Sequence, residues 1–503
     1  MRSVSSFQLS PSLKQSLRAP HEKKASYWEK GGERMVMRLF RHVAKTVPAY
    51  QQLLKAHTID QKEINTVGDI KNLPIIDKES YLRKFDFIDL FSNRDISKAT
   101  TISATSGSSG EPFYFPRGEE QDSQYEYVAE HFLRNQFDIH RKKTLGIIGF
   151  GLGIWIGGIF TYKVFNKIAS KGNRLTLAPV GSNLEYYIKI IKKFGDHYDQ
   201  ILLMGYPPFV KDIIDEGEEQ GIRWARHSVR ILTAAEGFSE NFREYLAKKT
   251  SIANSFRDII NMYGTVELGT MAHETAFANL IRKIAVENEN VFQRIFPGAN
   301  HEPTLAQYYP QMVYFENYNG EVIASGIGSS IPLVRYRFHD LGGVISFNTM
   351  VELLQEEGVH IMKEARKAKI DKMIIRLPFV YVYGKSDHTI ILRGANIYPL
   401  EIRIALHAHE LEDCVTGKYS MTKKEDKRMN EYLEINVELK KGVEPSTELK
   451  GLTERKIVET LLRKNSEFSY LYALEPKKVM PKIIFTNHGE KEFQLKGKHH
   501  WIK

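Results

Sequence analysis

Apolar side chains recur at three- and four-residue spacings through MVMRLFRHVAKTVPAYQQLLKAH, which predicts helix from Tyr27 to His57 with an interruption at Pro48. A polar stretch with short amphipathic pieces follows to about Leu90. From Ile96 the pattern turns to β-branched and small residues. Long helical stretches then alternate with short apolar runs: KTLGIIGF, RLTLAPV, QILLMGY and VRILTAA. Runs of this length bounded by Gly, Pro or Asn read as strands buried on both faces, so an α/β chain with mostly parallel pairing is predicted. From Val313 to Phe347 the apolar segments lie closer together and alternate more, and the NG of VYFENYNGEVIAS supplies a hairpin turn. After Gly384 come short strands and two helices, around EIRIALHAHEL and TERKIVETLLRKN, with the charged turn TKKEDKRMN between them. The boundary falls near Gly384 to Asp387. It separates a large domain, 1–385, from a small α+β module, 386–503, of a size that can fold by itself.

Composition narrows the picture. The 503 residues are 42% apolar and 26% charged, enough for a full core and about three domains, or one large domain and a smaller one. The net charge of +10 is modest over this length and favours anionic partners without choosing among them. One cysteine, Cys414, excludes an intramolecular disulfide framework and a cysteine-based zinc cluster, and points to a reducing, cytoplasmic setting. No secretory signal is visible at the N-terminus. Thr144 to Tyr162 carries no charge and is long enough to span a bilayer, but its six glycines fit a buried strand, a tight loop and a closely packed helix start better. No membrane span is therefore expected. Nucleic-acid binding is not expected either, since basic residues are not interleaved with aromatics on one surface; the RKAKIDKMIIR cluster reads as a solvated face.

The strongest chemical signal is TISATSGSSGEPFYF, Thr101 to Phe115. Small hydroxyl residues and two glycines before a proline let backbone N–H groups approach an anion, while Ser106, Ser108 and Ser109 add rotatable donors for phosphate oxygens. No Gly-Lys-Ser/Thr closes it, so it is not a Walker loop, and GFGLGIWIGG lacks the spacing of a dinucleotide fingerprint. NMYGTVELG offers an aromatic face followed by a carboxylate, suited to a purine and a magnesium ion. RYRFHDLGG puts Asp340 at the end of a strand, where it can accept from ribose hydroxyls. YGKSDHTIILRGANIYPLEI pairs a basic residue with two turns.

In this order the stretches resemble the adenylate-forming enzymes (acyl-CoA synthetases, peptide-synthetase adenylation domains and luciferase), specifically the phenylacetate-CoA ligase branch. TVPAYQQLLKAHTIDQKEINTVGDIKNLPIIDKESY is similar to that branch's N-terminal signature, SATSGSSGEPF to its phosphate loop, IIGFGLGIWIGG to its glycine-rich segment, LTAAEGFS to "gAEpw" and NMYGTVE to "YG.sE". IPLVRYRFHDL matches "PliRYrtgDl", and GKSDHTIILRGANIYPLEI matches "GRsDdmi..rG.NvfP..iE". The resemblance covers nearly the whole chain. It implies a large domain of mixed β-sheets packed with helices and a small mobile C-terminal lid. It implies a two-step reaction in which a carboxylic acid attacks the α-phosphate of ATP, releasing pyrophosphate, and the acyl-adenylate passes its acyl group to an acceptor, most often the thiol of coenzyme A.

Carried over by residue, Ser106, Gly107, Ser108, Ser109 and Gly110 would wrap the β- and γ-phosphates. Ala235 and Glu236 would lie along the adenine, Tyr263 would stack on it in the turn with Gly264 and Thr265, Glu267 would bind Mg2+, and Asp340 would hold the ribose. Lys385 stands where the branch has arginine. By the same resemblance Asp387 would mark the hinge of the lid, Gly394 and Asn396 would lie in the loop that its rotation presents, and Lys498 would be the catalytic lysine, with Lys496 as its rival. The chain departs from the pattern at Val266 (usually Thr or Ser), Glu111 (commonly lysine), Lys385 and His339 (usually a small residue). Two alternatives stand beside the CoA ligase: transfer to an amine, a carrier-protein thiol or a protein cysteine, and a nucleotide-binding relative without turnover. Cys414 reads as a small buried hydrophobe, His273 and Glu274 as solvent-exposed, and Phe150, Trp155 and Tyr206 as candidates for an apolar pocket.

Overall fold

The computed structural model describes residues 17–105, 112–490 and 493. They form two compact units, one from residues up to Ala104 and Tyr114–Gly384, the other from the described residues of Thr105–Phe113 together with those from Lys385 onward.

In the first unit the strands are β1 (Ala99–Ala104), β2 (Tyr114–Gly118), β3 (Thr144–Ile148), β4 (Leu175–Pro179), β5 (Gln200–Gly205), β6 (Val229–Thr233), β7 (Ile259–Thr265), β8 (Gly269–His273), β9 (Thr304–Tyr308), β10 (Val313–Tyr318), β11 (Glu321–Gly326), β12 (Leu333–Ile345) and β13 (Phe379–Lys385). Eleven of them make one sheet in the order β10-β11-β12-β13-β9-β8-β7-β6-β5-β3-β4, and β1 pairs with β2 as a separate hairpin. The short apolar runs become β3 to β6, and β3, β5 and β6 are buried along their whole length. Helices Ile156–Ser170, Leu184–Phe194, Pro207–Glu219 and Glu240–Thr250 form the crossovers that parallel pairing requires. The expected parallel pairing holds from β4 to β7, and antiparallel pairs take over at β7–β8, β8–β9 and β13–β9. The reason is connection length: β7 and β8 are joined by three residues, too few for a crossover.

Other local expectations are met. The first long helix runs Ala25–Thr46, Val47 is extended, and a second helix starts at Pro48, whose ring suits a first helical turn. Asn319 and Gly320, both at positive φ, close the β10–β11 hairpin. Thr144–Tyr162 is β3, a glycine loop and the start of a helix: a Cβ on Gly149 would come within 2.6 Å of the Met204 carbonyl oxygen, and one on Gly158 within 2.3 Å of that of Gly151. Among the described residues no helix is long and apolar enough to cross a membrane. The charged residues of Arg366 to Arg376 are exposed or half-buried, as a solvated face should be.

The second unit holds the hairpin β14 (Ile390–Leu392) and β15 (Ala395–Ile397), and a three-stranded sheet of β16 (Val415–Glu425), β17 (Glu431–Leu439) and β18 (Lys482–Thr486). Helices Pro399–Leu406 and Thr447–Lys464 are those the sequence marks. The charged segment between them is mostly strand, and its turn is confined to Asp426–Asn430, where the Asp426 carboxylate accepts from the Arg428 and Asn430 amides at 2.7 and 3.0 Å. Cys414 precedes β16 in a loop and is half-buried rather than buried.

Candidate functional site

Tyr263, Gly264 and Thr265 end β7, and Val266, Glu267 and Leu268 turn the chain into β8. Gly264 is needed for close approach, since a Cβ there would lie 2.5 Å from the Gly269 carbonyl oxygen. The Thr265 hydroxyl accepts from the Leu268 amide at 3.2 Å and tightens the turn. The Tyr263 ring stacks on Phe315 at 6.3 Å, and its hydroxyl donates to the Asp340 carboxylate. Burial, together with the Asp340 charge, holds the Tyr263 phenol well above its ordinary pKa, so it stays a donor.

Asp340 lies inside the thirteen-residue β12, not at a strand end as the sequence suggests. The pairing of β11 with β12 slips between Val322 opposite Asp340 and Ile323 opposite Arg337, and His339 in this bulge has φ of 63°. The bulge does what a strand end was expected to do: it re-aims one carboxylate. Asp340 and Tyr263, 77 positions apart, are brought together; the Glu267 carboxylate accepts from the Tyr336 hydroxyl of the same strand at 3.4 Å.

Ala235 and Glu236 follow β6. Ala235 has φ of 82°, a conformation that costs a side-chain-bearing residue about 1–3 kcal/mol, and Glu236 is buried. The Glu236 carbonyl accepts from the Asn261 amide group at 2.9 Å, and the Asn261 side-chain oxygen accepts from Thr233 at 2.9 Å, so this loop is tied to β7 two residues before Tyr263.

Beneath the loop lies a buried ionic network with no sequence signature. The Arg243 guanidinium grips both Glu274 oxygens at 2.9 Å, meets Glu240 at 3.2 Å and donates to the Ile259 carbonyl at 2.6 Å. Arg282 reaches Glu274 at 3.2 Å, Glu240 at 3.3 Å and the Phe238 carbonyl. Burial would push the Glu240 carboxyl up, but the two guanidiniums overcome it and hold it below its ordinary value. Glu274 and His273, expected in solvent, are therefore corrected: Glu274 is fully buried as the centre of this network, and His273 packs against Phe132 at 5.0 Å. Burial pushes the His273 imidazole down to about 4, so it is neutral at pH 7, and its Nδ1 meets the Glu274 carbonyl at 2.9 Å.

Arg117 on β2 is another residue that sequence reasoning missed. It is 1% exposed, and its guanidinium donates to the carbonyls of Val266 and Gly328. Its neighbours Thr101, Ser103, Asp122, Trp155, Phe160 and Lys163 line a small cleft beside the glycine-rich segment. Of the three aromatics expected to form an apolar pocket, only Trp155 reaches this cleft; Phe150 and Tyr206 are buried, with Tyr206 against Phe209 at 5.5 Å.

In the second unit Lys385 is half-buried at the end of β13. The Asn396 backbone and side-chain N–H groups donate to Glu467 at 2.9 and 3.1 Å, and Asn465 donates to the Asn396 carbonyl at 2.7 Å and to Glu401 at 3.0 Å. The loop with Gly394 is thus held from the helix Ser466–Leu474. Ser106, Gly107, Ser108, Ser109, Gly110, Glu111, Lys496 and Lys498 lie outside the described residues.

No protein-family model matches the chain. Its sequence is similar to the phenylacetate-coenzyme A ligase of Pseudomonas putida, 19% identical over 365 residues (72% of this chain, 71% of that one), and to that of Escherichia coli K12, 20% identical over 377 residues (72% of each). Its fold is similar to 2-hydroxyisobutyryl-CoA ligase in complex with 2-HIB-AMP and CoA in the thioesterification state, with a TM-score of 0.66 and 12% identity over 97% of this chain and 91% of that one. The same ligase in the postadenylation state with R3-HIB-AMP gives 0.56 and 12%, over 99% and 94%. The chain has the fold of the adenylate-forming enzymes. Within them its sequence resembles the phenylacetate-CoA ligase branch, and that sequence likeness points to an AMP-forming ligase.

Two variants test these supports. Glu274→Gln leaves Arg243 and Arg282 short of a buried charge and should destabilise the first unit by about 3–5 kcal/mol in chemical denaturation; a loss below about 1 kcal/mol would mean the network is not holding the loop. The Glu401 carboxyl, 2% exposed, is pushed up to about 7 by burial against the opposing pull of the Tyr398 amide and Asn465. It binds its proton more tightly folded than unfolded, so its contribution is full below about 4.5 and is lost as pH rises through about 7. A shift of this size corresponds to about 3 kcal/mol. Glu401→Gln keeps the acceptor and removes the titration, and should flatten the pH dependence of the second unit's stability between pH 5 and 8.

Proposed function

We propose that the protein activates a carboxylic acid with ATP to an acyl-adenylate, with release of pyrophosphate, and passes the acyl group to a thiol, that of coenzyme A being the acceptor the relatives' names favour. The observation that carries this reading is the meeting of Tyr263 with Asp340 beside the Glu267 turn: an aromatic face, a carboxylate and a second carboxylate, all in one unit. A carboxylate is a poor acyl donor until its oxygen carries a leaving group, so the site must hold the nucleotide and neutralise charge on its phosphates.

On this reading Asp340 accepts from the ribose hydroxyls, Tyr263 stacks on the adenine with Ala235 and Glu236 along its edge, and Ser106 to Gly110 donate to the phosphates. Lys385 supplies a point charge in place of an arginine fork. Magnesium fits the residues present. Glu267 is a hard oxygen donor, half-exposed on a tight turn, and among the described residues no group of three or more His, Cys, Asp or Glu could hold a metal by itself. One carboxylate completed by substrate phosphates is how this ion is commonly held; bound there, it would neutralise phosphate charge. Residues 386–503 form the lid, turning at Asp387, with Lys498 facing the reacting groups in the first step and the Gly394 and Asn396 loop in the second. The acid that is activated follows from none of these contacts.

Pyrophosphate release against a panel of carboxylic acids, with and without CoA and with hydroxylamine as an alternative trap, tests the reading; no release with any acid would leave the non-catalytic nucleotide binder. Asp340→Ala should weaken ATP binding in calorimetry by about 1.5–3 kcal/mol for each charge-assisted hydrogen bond lost, with Asp340→Asn in between. Lys498→Ala should slow acyl-adenylate formation by roughly 10²–10³. It should leave transfer from a supplied acyl-adenylate near normal, and equal slowing of both halves would count against the rotating lid.

A further inference from the structure

We infer that Arg117 is the positioning residue for the magnesium-binding carboxylate: it fixes the turn that carries Glu267 from beneath and sets that carboxylate's affinity for a divalent cation. The inference rests on the reading of Glu267 as the magnesium ligand. Three segments distant in sequence meet at this guanidinium. Arg117 stands on β2, donates from Nη2 to the Val266 carbonyl, one residue before Glu267, and from Nη1 to the Gly328 carbonyl, and is capped by the Phe160 ring 5.2 Å from its centre. The Gly328 segment is pressed against the turn, since a Cβ there would fall 1.9–2.1 Å from the Leu268 backbone. The Ser330 amide donates to the Pro116 carbonyl at 2.8 Å, which closes the clamp.

The charge on Arg117 argues for more than packing. Placing a guanidinium at 1% exposure carries a desolvation penalty, and burial pushes its pKa down to about 10, so it remains charged at neutral pH. Its hydrogen bonds go to carbonyls, which a neutral donor could also satisfy. The opposing charges are Glu267 and Asp122, and Asp122 is already paired with Lys163 at 2.5 Å. Glu267 meets only the Tyr336 hydroxyl at 3.4 Å among the described residues, so its placement depends on the backbone of the turn that Arg117 grips. A side chain that orients a ligating carboxylate without touching the metal typically changes metal affinity by about 10–100-fold. A lysine would keep the charge but could not fork to two carbonyls.

The test uses the full-length protein and Mg2+ with α,β-methylene-ATP, which cannot release pyrophosphate. Calorimetry in the presence and absence of the metal gives the factor by which Mg2+ strengthens nucleotide binding, and pyrophosphate release gives the Mg2+ concentration for half-maximal rate. Arg117→Met should raise that concentration about 10–100-fold and remove most of the metal's effect on nucleotide binding, with metal-free nucleotide affinity and the acid's KM unchanged. Arg117→Lys, the milder change should Arg117→Met not fold, should lie between. A purely structural role would lower kcat while leaving the Mg2+ dependence alone, and that outcome in either variant overturns the inference. Glu267→Gln separates the two readings: if it abolishes the Mg2+ dependence while the Arg117 variants keep it, only the role of Arg117 falls. If Glu267→Gln leaves the dependence intact, the metal role of Glu267 falls and the inference with it.

Discussion

The candidate site depends on a buried exchange of charge beneath it. Arg243 and Arg282 are both fully buried, and each is compensated by Glu240 and Glu274 at 2.9–3.3 Å. Removing four charged groups from water is costly, and such a cluster is at best near neutral compared with apolar packing. What it gains is placement. Glu274 also accepts from the Asn261 amide at 2.8 Å, Arg243 holds the Ile259 carbonyl, Arg282 holds that of Phe238, and the Glu240 amide donates to Glu302 at 2.6 Å. The loop after β6, the start of β7 and the helix Ala276–Glu287 are thus fixed to one another by directional bonds, where a greasy contact would tolerate sliding.

The same logic explains how the site survives its unusual residues. At Val266 the chain lacks the hydroxyl expected from the resemblance, yet the backbone carbonyl of that residue is what Arg117 grips, so the turn is held whatever the side chain. His339, where a small residue is usual, sits at a positive φ that glycine would adopt with less strain. Neither departure removes a donor or acceptor that the described geometry uses.

Legibility followed the range of the interaction. The crossover strands, the Asn319-Gly320 hairpin, the helix restart at Pro48 and the close-packed Gly149 and Gly158 are local events, set by side-chain period, positive φ or the lack of a Cβ, and the chain declares them. Asp340 was recognisable as a carboxylate but misplaced at a strand end, because a bulge depends on the register of β11 and cannot be seen from β12 alone. His273 and Glu274 read as exposed because no second histidine at helical spacing marks a metal site there, and polar residues after a turn usually face solvent. Glu274 is buried only because Arg243 and Arg282, 31 positions before it and 8 after it, arrive from two other helices. Arg117 gave no signal at all, since its partners are backbone carbonyls 149 and 211 positions away.

Strain gives a separate line of argument for where function lies. Ala235 and His339 both occupy the left-handed region at 82° and 63°, each immediately precedes a residue of the candidate nucleotide site, Glu236 and Asp340, and each belongs to a segment locked by distant bonds. A strained residue persists only where its surroundings over-determine it, and a fold optimised for stability alone would have placed glycine at both positions or avoided the geometry. The two outliers are 104 positions apart in sequence yet converge through Asn261 and Tyr263 on adjacent parts of β7. Of the thirteen described non-glycine residues at positive φ, these two border the residues proposed to hold the nucleotide, and their convergence on β7 agrees with that proposal.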